Sequence, residues 1–191
     1  MLSNLRASVL MLSLLTVITG VLYPALVTGI AAVCFPHERG GSMISLDGKL
    51  AGSSLVGQPF DDPKYFWSRP SATASIPYNA AASSGSNVGP SNPALVEAVK
   101  ARVEALRSAD PQSTAEVPVD LVTASGSGLD PQISPAAAEY QVARVARARG
   151  LSEAQVRELV RAHIHGRQLG ILGEPGVNVL ALNLALEKAK P

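Results

Sequence analysis

Residues 9–35, VLMLSLLTVITGVLYPALVTGIAAVCF, contain no charged side chain and decide how this chain is organised. A helix that crosses the hydrocarbon core of a bilayer needs about 20 mainly apolar residues at about 1.5 Å each. This stretch is longer, so it predicts one transmembrane helix over residues 9–35 after a short tail over residues 1–8. Pro24 lacks a backbone N–H, and we expect it to kink the helix.

A cleaved signal peptide is the alternative interpretation of the same stretch. The apolar region of a signal peptide is usually about 7–15 residues long, which is shorter than residues 9–35. Ala31, Ala32 and Val33 before Cys34 are similar to a lipoprotein cleavage site, but Val33 is larger than the residue such a site carries before its cysteine. The sequence therefore favours an uncleaved anchor.

The charges beside this helix leave its orientation open. Arg6 and the terminal amine precede it, while Arg39 and Lys49 follow it. Because orientation follows the excess of Lys and Arg on the cytoplasmic side, these numbers do not decide on which side the remaining chain lies.

Composition excludes several classes of function. The chain has 191 residues and a formal net charge of +1, from 16 Lys and Arg against 15 Asp and Glu. This balance provides no broad basic surface for nucleic acid. One Cys excludes an intrachain disulfide, and with three His it is poor material for a structural zinc site. We expect neither nucleic acid as a partner nor a metal held by this chain.

The second part of the chain, residues 37–191, is long enough for one hydrophobic core. Residues 43–46 and 49–50 flank Asp47 and Gly48, a typical hairpin turn, and residues 117–123 have the composition of a buried strand. We therefore predict an α+β protein in which a transmembrane helix precedes one mixed α/β domain, with strands early and helices late.

Helix-start signals predict four helices in this domain. The first three follow the capping residues Asn92, Ser134 and Ser152, and the third carries a capping box of Ser152 and Gln155. The fourth follows a turn at residues 173–176. The predicted helices begin at Pro93, at Pro135, after Ser152 and at Asn178, and end before Asp110, near Gly150, near Gly166 and at Lys188. Residues 68–93 are rich in Ser, Ala, Gly, Asn and Pro. Composition indicates a flexible linker there, and its length indicates a segment that is either functional or disordered.

A serine hydrolase site is one reading of the glycine-rich turn at residues 124–131. Ser127 lies between two glycines, and Asp130 with His163 or His165 would complete a triad. The spacing is not that of the Gly-x-Ser-x-Gly elbow, and a turn whose serines bond local backbone explains the same residues. The two histidines are two apart, whereas helical metal pairs are three or four apart, so they do not indicate a metal site.

Two further features are consistent with anion binding. The loop at residues 84–90, SGSNVGP, precedes a predicted helix N-terminus, where free N–H groups attract phosphate, but the sequence lacks a Walker motif. A group of arginines lies on two adjacent predicted helices, with glutamates interspersed, which favours a solvated helix face over a binding patch. These arginines are Arg144, Arg147, Arg149, Arg157, Arg161 and Arg167.

Seven segments in chain order carry a family pattern. They are residues 20–24 (GVLYP), 52–58 (GSSLVGQ), 65–72 (YFWSRPSA), 84–93 (SGSNVGPSNP), 117–131 (VPVDLVTASGSGLDP), 140–146 (YQVARVA) and 177–183 (VNVLALN). Together the segments resemble the C subunit of the bacterial Kdp potassium-transporting ATPase, the KdpC family, over nearly the whole chain. Ser68 and Ser84 stand where we expect glycine in this family.

The resemblance implies a single-pass subunit of the bacterial inner membrane with a periplasmic soluble domain and no catalytic site of its own. Its partners would be a channel-like potassium-binding subunit, a P-type ATPase subunit, a small peptide subunit and membrane lipid. The implied role is that of a catalytic chaperone that assists assembly and raises the ATP affinity of the pump subunit. ATP would thus act through the complex, and the glutamine matching Gln141 is the residue linked to it.

Physical chemistry limits how Gln141 could act. A domain outside the cytoplasm cannot touch cytoplasmic ATP, so the effect is either allosteric or a contact made only in vitro. A helical amide that bonds neighbouring backbone is the simpler role for Gln141. The alternative functions are a membrane-tethered nucleotide-binding module using the 84–90 loop or Gln141, and an anchored serine hydrolase using Ser127.

Overall fold

The computed structural model describes residues 2–46 and 48–189. The chain divides into two compact units, Met1–Met43 and Ile44–Pro191. The turn residue Asp47 lies outside the described residues, so the predicted hairpin is seen only through its two strands.

The first unit is a long apolar helix. It consists of α1 (Leu2–Val17), a π-helical turn (Ile18–Leu22) and α2 (Tyr23–Cys34), followed by the short α3 (Pro36–Arg39). By length and composition, Leu2–Cys34 is able to cross a membrane. The tail predicted over residues 1–8 is helical from Leu2 onward.

The π-helical turn is the local response to Pro24. A proline inside a helix lacks the N–H that would bond the carbonyl four residues back, and its ring crowds that carbonyl. Here Tyr23 donates its N–H to the carbonyl of Ile18, five residues back, so the helix widens just before the ring. The expected disturbance at Pro24 therefore takes the form of a π turn.

The second unit contains two small sheets. Strands β1 (Met43–Leu46) and β2 (Lys49–Ser53) form the predicted hairpin. Strands β3 (Gln132–Ile133), β4 (Ile164–His165) and β5 (Gly176–Asn178) form an antiparallel sheet in the order β3-β5-β4. In its register, Gln132 is opposite Asn178 and Ile164 is opposite Val177.

The four predicted helices are present as α4 (Pro93–Ala109), α5 (Pro135–Arg149), α6 (Glu153–Ala162) and α7 (Val179–Lys188). Their N-caps are Asn92, Ser134, Ser152 and Asn178, each accepting a hydrogen bond from a backbone N–H in the first turn. The capping box of Ser152 and Gln155 is also formed. Fold class α+β is therefore confirmed.

The predicted order of strands early and helices late was wrong, since β4 and β5 follow α5 and α6 in the chain. Two element predictions were also wrong. Residues 117–123 form no strand: Val119–Leu121 is a 3₁₀ turn, in which Leu121 is buried while Val119 is 70% exposed. The third helix ends at Ala162 rather than near Gly166, because Ile164 and His165 pair with β5 instead.

The core of the second unit lies between α5, α6, α7 and the three-stranded sheet. Its fully buried members are mainly aliphatic and include Val142, Val145, Val156, Val177 and Leu182. Phe66 and Trp67 join this core although their segment is neither helix nor strand. That irregular but buried segment contains the candidate site.

Candidate functional site

Two side-chain amides hold the backbone of Phe66 and Trp67. Gln141 accepts a hydrogen bond from the Trp67 N–H (2.7 Å) and donates to the Trp67 carbonyl (3.2 Å). Asn183 does the same for Phe66, at 2.9 Å for the N–H and 3.0 Å for the carbonyl. Each amide thus replaces the neighbouring strand that this segment lacks, and we call the pair Gln141 and Asn183 the amide clamp.

The helices position the clamp by their periodicity. Gln141 lies on the buried face of α5, four residues after Ala137 and four before Val145. Asn183 lies on the buried face of α7 beside Leu182. Because buried backbone polar groups must find partners, the two amides allow an irregular segment to pass through an apolar core.

Gln141 has no exposed surface and a full set of hydrogen bonds. Besides its two bonds to Trp67, its oxygen accepts from Arg144 (2.6 Å) and its nitrogen donates to the Ala137 carbonyl (3.1 Å). A carboxamide has two donors and an acceptor oxygen with two lone pairs, and all are used here. In this arrangement Gln141 supports the backbone, and its relation to ATP stays a prediction.

Two arginines enclose the Trp67 indole. The guanidinium carbon of Arg144 lies 4.7 Å from the ring centroid, and that of Arg102 lies 5.4 Å from it. Arg144 also donates to the carbonyls of Pro63 (2.5 Å) and Tyr65 (3.1 Å). Burial lowers the pKa of Arg144 to about 10, and burial also lowers the pKa of Arg102. Arg144 therefore remains charged at neutral pH.

A second cluster joins the 68–93 segment to the glycine-rich turn. Ser71 donates through its hydroxyl to the Gly128 carbonyl (2.7 Å), and Ser84 donates its backbone N–H to the Ser127 carbonyl (3.0 Å). At Gly128, where φ is +67°, an added Cβ would lie 2.5 Å from the Ser84 carbonyl oxygen. The 68–93 segment and the glycine-rich turn, which are separate in the sequence, therefore pack together through close contact between their backbones.

The family assignment follows from comparison with known proteins. The family model described as "K+-transporting ATPase, c chain" matches residues 5–188. The chain belongs to the KdpC family. The "Potassium-transporting ATPase KdpC subunit" of Sorangium cellulosum is 65% identical over 190 residues, covering 100% of both chains. The protein of the same name from Methylococcus capsulatus is 63% identical over 187 residues, covering 98% of both.

Three of the predicted triad residues, Ser127, Asp130 and His163, bond elsewhere in this KdpC-family chain, and the fourth, His165, lies in β4. Ser127 accepts from the Leu129 N–H through its hydroxyl (3.1 Å). Asp130 pairs with Arg69 at 3.0 Å, and His163 Nδ1 lies 2.8 Å from the Leu159 carbonyl. The hydrogen bonds described for residues 2–46 and 48–189 do not join these groups into a triad.

The predicted arginine group is largely paired with acids. Arg147 pairs with Asp110, Arg149 with Glu187 at 2.6 Å, Arg157 with Glu139 at 2.7 Å and Arg167 with Glu174 at 2.7 Å. The exposed pairs of Arg157 and Arg167 agree with the predicted solvated helix face. The prediction was wrong for Arg144, which is buried over Trp67 because it donates to backbone carbonyls there. Within the described part of the chain, no group of three or more His, Cys, Asp or Glu side chains could hold a metal ion.

Asn183 of the amide clamp and Arg102 over Trp67 are functional-site residues that the sequence did not predict. Asn183 lies in an apolar helical pattern, LALNLAL, and a single amide among aliphatic residues is a signal for a buried hydrogen-bonding role. Arg102 lies on the polar side of the predicted α4 stripe. Only the fold brings it over Trp67 and within reach of the carbonyls of Leu121 and Ser68.

Proposed function

We propose that this chain is a membrane-anchored, non-catalytic accessory subunit of an ATP-driven potassium-import complex. The observation that carries the proposal is membership of the KdpC family over residues 5–188. The long apolar helix Leu2–Cys34, whose residues 9–34 carry no charge, supports an integral position in the membrane. The relatives are subunits of a potassium-transporting ATPase by name.

We further propose that the helix spans the bacterial inner membrane once and that residues 37–191 lie in the periplasm. The partners in this proposal are a channel-like potassium-binding subunit, a P-type ATPase subunit and a small peptide subunit. The family resemblance supports this placement, since the flanking charges do not decide it.

Co-purification and topology test the proposal together. The full chain, coexpressed with the other subunits of the ATPase and solubilised in mild detergent, should be recovered with them in fixed proportion. In right-side-out vesicles, external protease should digest the second unit, whereas in inverted vesicles it should not. Recovery of the chain alone, with potassium uptake unchanged when the chain is deleted, would reject the proposal.

The proposed chaperone role raises the ATP affinity of the pump subunit, and we propose that Gln141 contributes to it as a positioning residue. The 0% exposure of its side chain and its four hydrogen bonds support an indirect action. A chain that binds one conformation of its partner more tightly shifts that partner's equilibrium. Typical couplings of about 1–3 kcal/mol change an affinity 5- to 150-fold.

The second half of the amide clamp provides the matched test. In the assembled complex, Gln141→Ala and Asn183→Ala each remove one amide that holds the 66–67 backbone. If Gln141 acts through the clamp, both variants should raise the KM for ATP by a similar factor, with kcat less affected. If Gln141 touches nucleotide, only Gln141→Ala should raise the KM, and only Gln141→Ala should lose labelling by a photoreactive ATP analogue.

A further inference from the structure

A cleft of about 280 Å³ lies between α4 and the 68–93 segment. Two arginines line it, Arg102 from α4 and Arg69 from the segment, and Ser71 and Tyr78 line it as well. We call it the arginine cleft. Pockets for drug-sized ligands are about 300–1,000 Å³, so the arginine cleft has the size for a small ion or a single functional group.

Arg102 brings to this cleft a positive charge that no ion pair neutralises within the part of the chain that the structure describes. Its guanidinium donates to the carbonyls of Leu121 (3.2 Å) and Ser68 (3.1 Å) and lies over the Trp67 ring. These two bonds use two of its five N–H donors. The planar fork of a guanidinium fits carboxylate and phosphate oxygens, so Arg102 is able to bind an anion in addition.

Arg69 is a second guanidinium whose hydrogen-bonding capacity the chain does not fully use. It pairs with Asp130 at 3.0 Å and donates to the Ala124 carbonyl at 3.4 Å. Its Nε is buried and donates to no acceptor among the described residues. A buried polar group without a partner is rare in folded proteins and calls for an explanation. An additional acceptor in the arginine cleft would complete the bonding of this pair of arginines.

The backbone at Tyr78 shows that the arginine cleft is held in shape against strain. Its φ is +58°, in the left-handed region that aromatic residues adopt rarely. Its hydroxyl donates to the Arg69 carbonyl at 2.5 Å, and its ring packs against Gly57, where a Cβ would not fit. Burial raises the pKa of Tyr78, while the positive charges of Arg102 and Arg69 oppose that rise. Both guanidinium charges therefore act at the phenol, and a strained residue between them is a reason to look for function.

We infer that the arginine cleft binds a phosphate group, with Arg102 as the main contact and Arg69 as the second. Hydrogen bonds from a guanidinium to an anionic oxygen are about twice as strong as neutral ones, and phosphate accepts two of them in parallel. Free inorganic phosphate and the headgroup of phosphatidic acid offer the same chemistry. Gln141 does not line the cleft, and a whole nucleotide belongs to the larger ligands, so the site is distinct from the predicted relation to ATP.

The acids near the cleft limit its affinity without reversing its sign. Asp130 neutralises Arg69, and Asp61 lines the cleft as an exposed side chain. Water and salt screen an exposed carboxylate, whereas the charge of the largely buried Arg102 is screened less. We therefore expect Asp61 to oppose phosphate weakly and Arg102 to attract it strongly. The inference does not depend on the proposed function, because it concerns this chain alone.

Titration of the full chain in a nonionic detergent tests the inference. Potassium phosphate replaces potassium chloride at constant ionic strength, and binding is followed by calorimetry and by the fluorescence of Trp67, the only tryptophan, over which Arg102 lies. We expect both signals to saturate and phosphate to raise the unfolding midpoint. ATP should bind at least tenfold more weakly than phosphate. A response that chloride reproduces, or tighter binding of ATP than of phosphate, would overturn the inference.

Substitutions on α4 assign the binding to the arginine cleft. Arg102→Gln should weaken phosphate binding by about tenfold or more, because bonds to charged groups are worth about 1.5–3 kcal/mol. Arg107→Gln, which changes an exposed arginine of the same helix, should alter the affinity less than twofold. Arg102→Lys keeps the charge without the planar fork and should weaken binding at least threefold. Asp61→Asn should strengthen binding about twofold.

The outcome does not depend on the folding of one variant. Where Arg102→Gln unfolds, Arg102→Lys and the exposed Asp61→Asn still measure the site, and wild-type affinity in both would refute the inference. A lipid arm identifies the source of the phosphate. In vesicles of phosphatidylcholine, replacing about a fifth of the lipid by phosphatidic acid should weaken the binding of free phosphate at least fivefold if the headgroup is the ligand. Unchanged binding would identify free phosphate, and either result supports the site.

Discussion

Two irregular segments of the second unit are held in different ways. Residues 65–67, of which Phe66 and Trp67 are buried in the core, are bonded by polar side chains from α5 and α7, above all Gln141 and Asn183. Residues 71–90 lie against the glycine-rich turn and are bonded by short hydroxyl side chains and backbone, as at Ser71 and Gly128. The first segment depends on the two side-chain amides of the clamp. The second segment depends on Gly128, because a side chain there would not fit where the two backbones approach.

Removing an amide from the clamp should lower the free energy of unfolding more than any change in the second segment. Gln141→Leu leaves the Trp67 N–H and carbonyl buried without a partner, and each unsatisfied group costs about 1–3 kcal/mol. We expect the free energy of unfolding to fall by about 2–6 kcal/mol. Trp67 is the only tryptophan, so thermal unfolding followed by its fluorescence reports directly on the clamp.

The control for this variant is Gln112→Leu, which changes an exposed glutamine and should shift the unfolding midpoint little. If both leucine variants unfold at the wild-type temperature, the hydrogen bonds of Gln141 do not support the segment.

Adding a methyl group at Gly128, where the two backbones approach closely, should destabilise the fold less than the loss of Gln141, but measurably. In Gly128→Ala the new Cβ would meet the Ser84 carbonyl oxygen at 2.5 Å, and its φ of +67° disfavours any side chain. The conformational part alone is about 1–2 kcal/mol. Gly126→Ala is the matched control, since no atom lies within 4 Å of its Cβ position. Equal unfolding midpoints for the two alanine variants would argue against the close approach.

Removing the Ser71 hydroxyl in the second segment should have the third-largest effect on stability. Ser71 donates to the Gly128 carbonyl and accepts from the Tyr78 N–H at 2.9 Å, so Ser71→Ala removes both bonds. We expect a destabilisation of about 1–2 kcal/mol, less than for Gln141→Leu because the site is only partly buried. Ser91→Ala, on the exposed end of the loop, serves as the reference variant. A larger loss than that of Gln141→Leu would reverse the comparison.

Acid should weaken the first segment slightly. Glu187 accepts from the Tyr65 hydroxyl at 2.5 Å and pairs with Arg149, and these bonds lower the pKa of its carboxyl. The pair therefore stabilises the fold above the ordinary pKa of glutamate, and this contribution is lost as pH falls through the lowered value. Because the pair is exposed to solvent, we expect less than about 1 kcal/mol.

The measurement for this pair is unfolding as a function of pH for wild type and Glu187→Gln. The two stability curves should converge at low pH, and parallel curves would exclude a role for Glu187.

Local signals in the sequence predicted the elements whose structure is set locally. The uncharged helix, the caps at Asn92, Ser134 and Ser152, and the β1–β2 hairpin follow from composition, capping and turn chemistry. Residues 117–123 have the composition of a strand but contain the 3₁₀ turn Val119–Leu121, in which Asp120 accepts from the backbone N–H and hydroxyl of Ser134. That contact between distant residues is not readable from a local pattern.

The candidate site was predictable only in part for the same reason. Gln141 was identified through a family resemblance, whereas its partner Asn183 and the arginines around Trp67 become visible only when α5, α7 and α4 are placed together. The contact between Phe66 and Asn183 spans 117 positions along the chain. Sequence periodicity shows which face of a helix is buried, but not which backbone segment that face will meet.

The π turn before Pro24 has a consequence for anyone who mutates the anchor. Accommodating one additional residue in a turn rotates the downstream half of the helix by about 100° relative to an unbroken α-helix. A stripe of side chains traced through Leu2–Val17 at regular spacing is therefore not continued by the same spacing in Tyr23–Cys34. Scanning mutagenesis of this anchor therefore needs two separate helical wheels, one for Leu2–Val17 and one for Tyr23–Cys34.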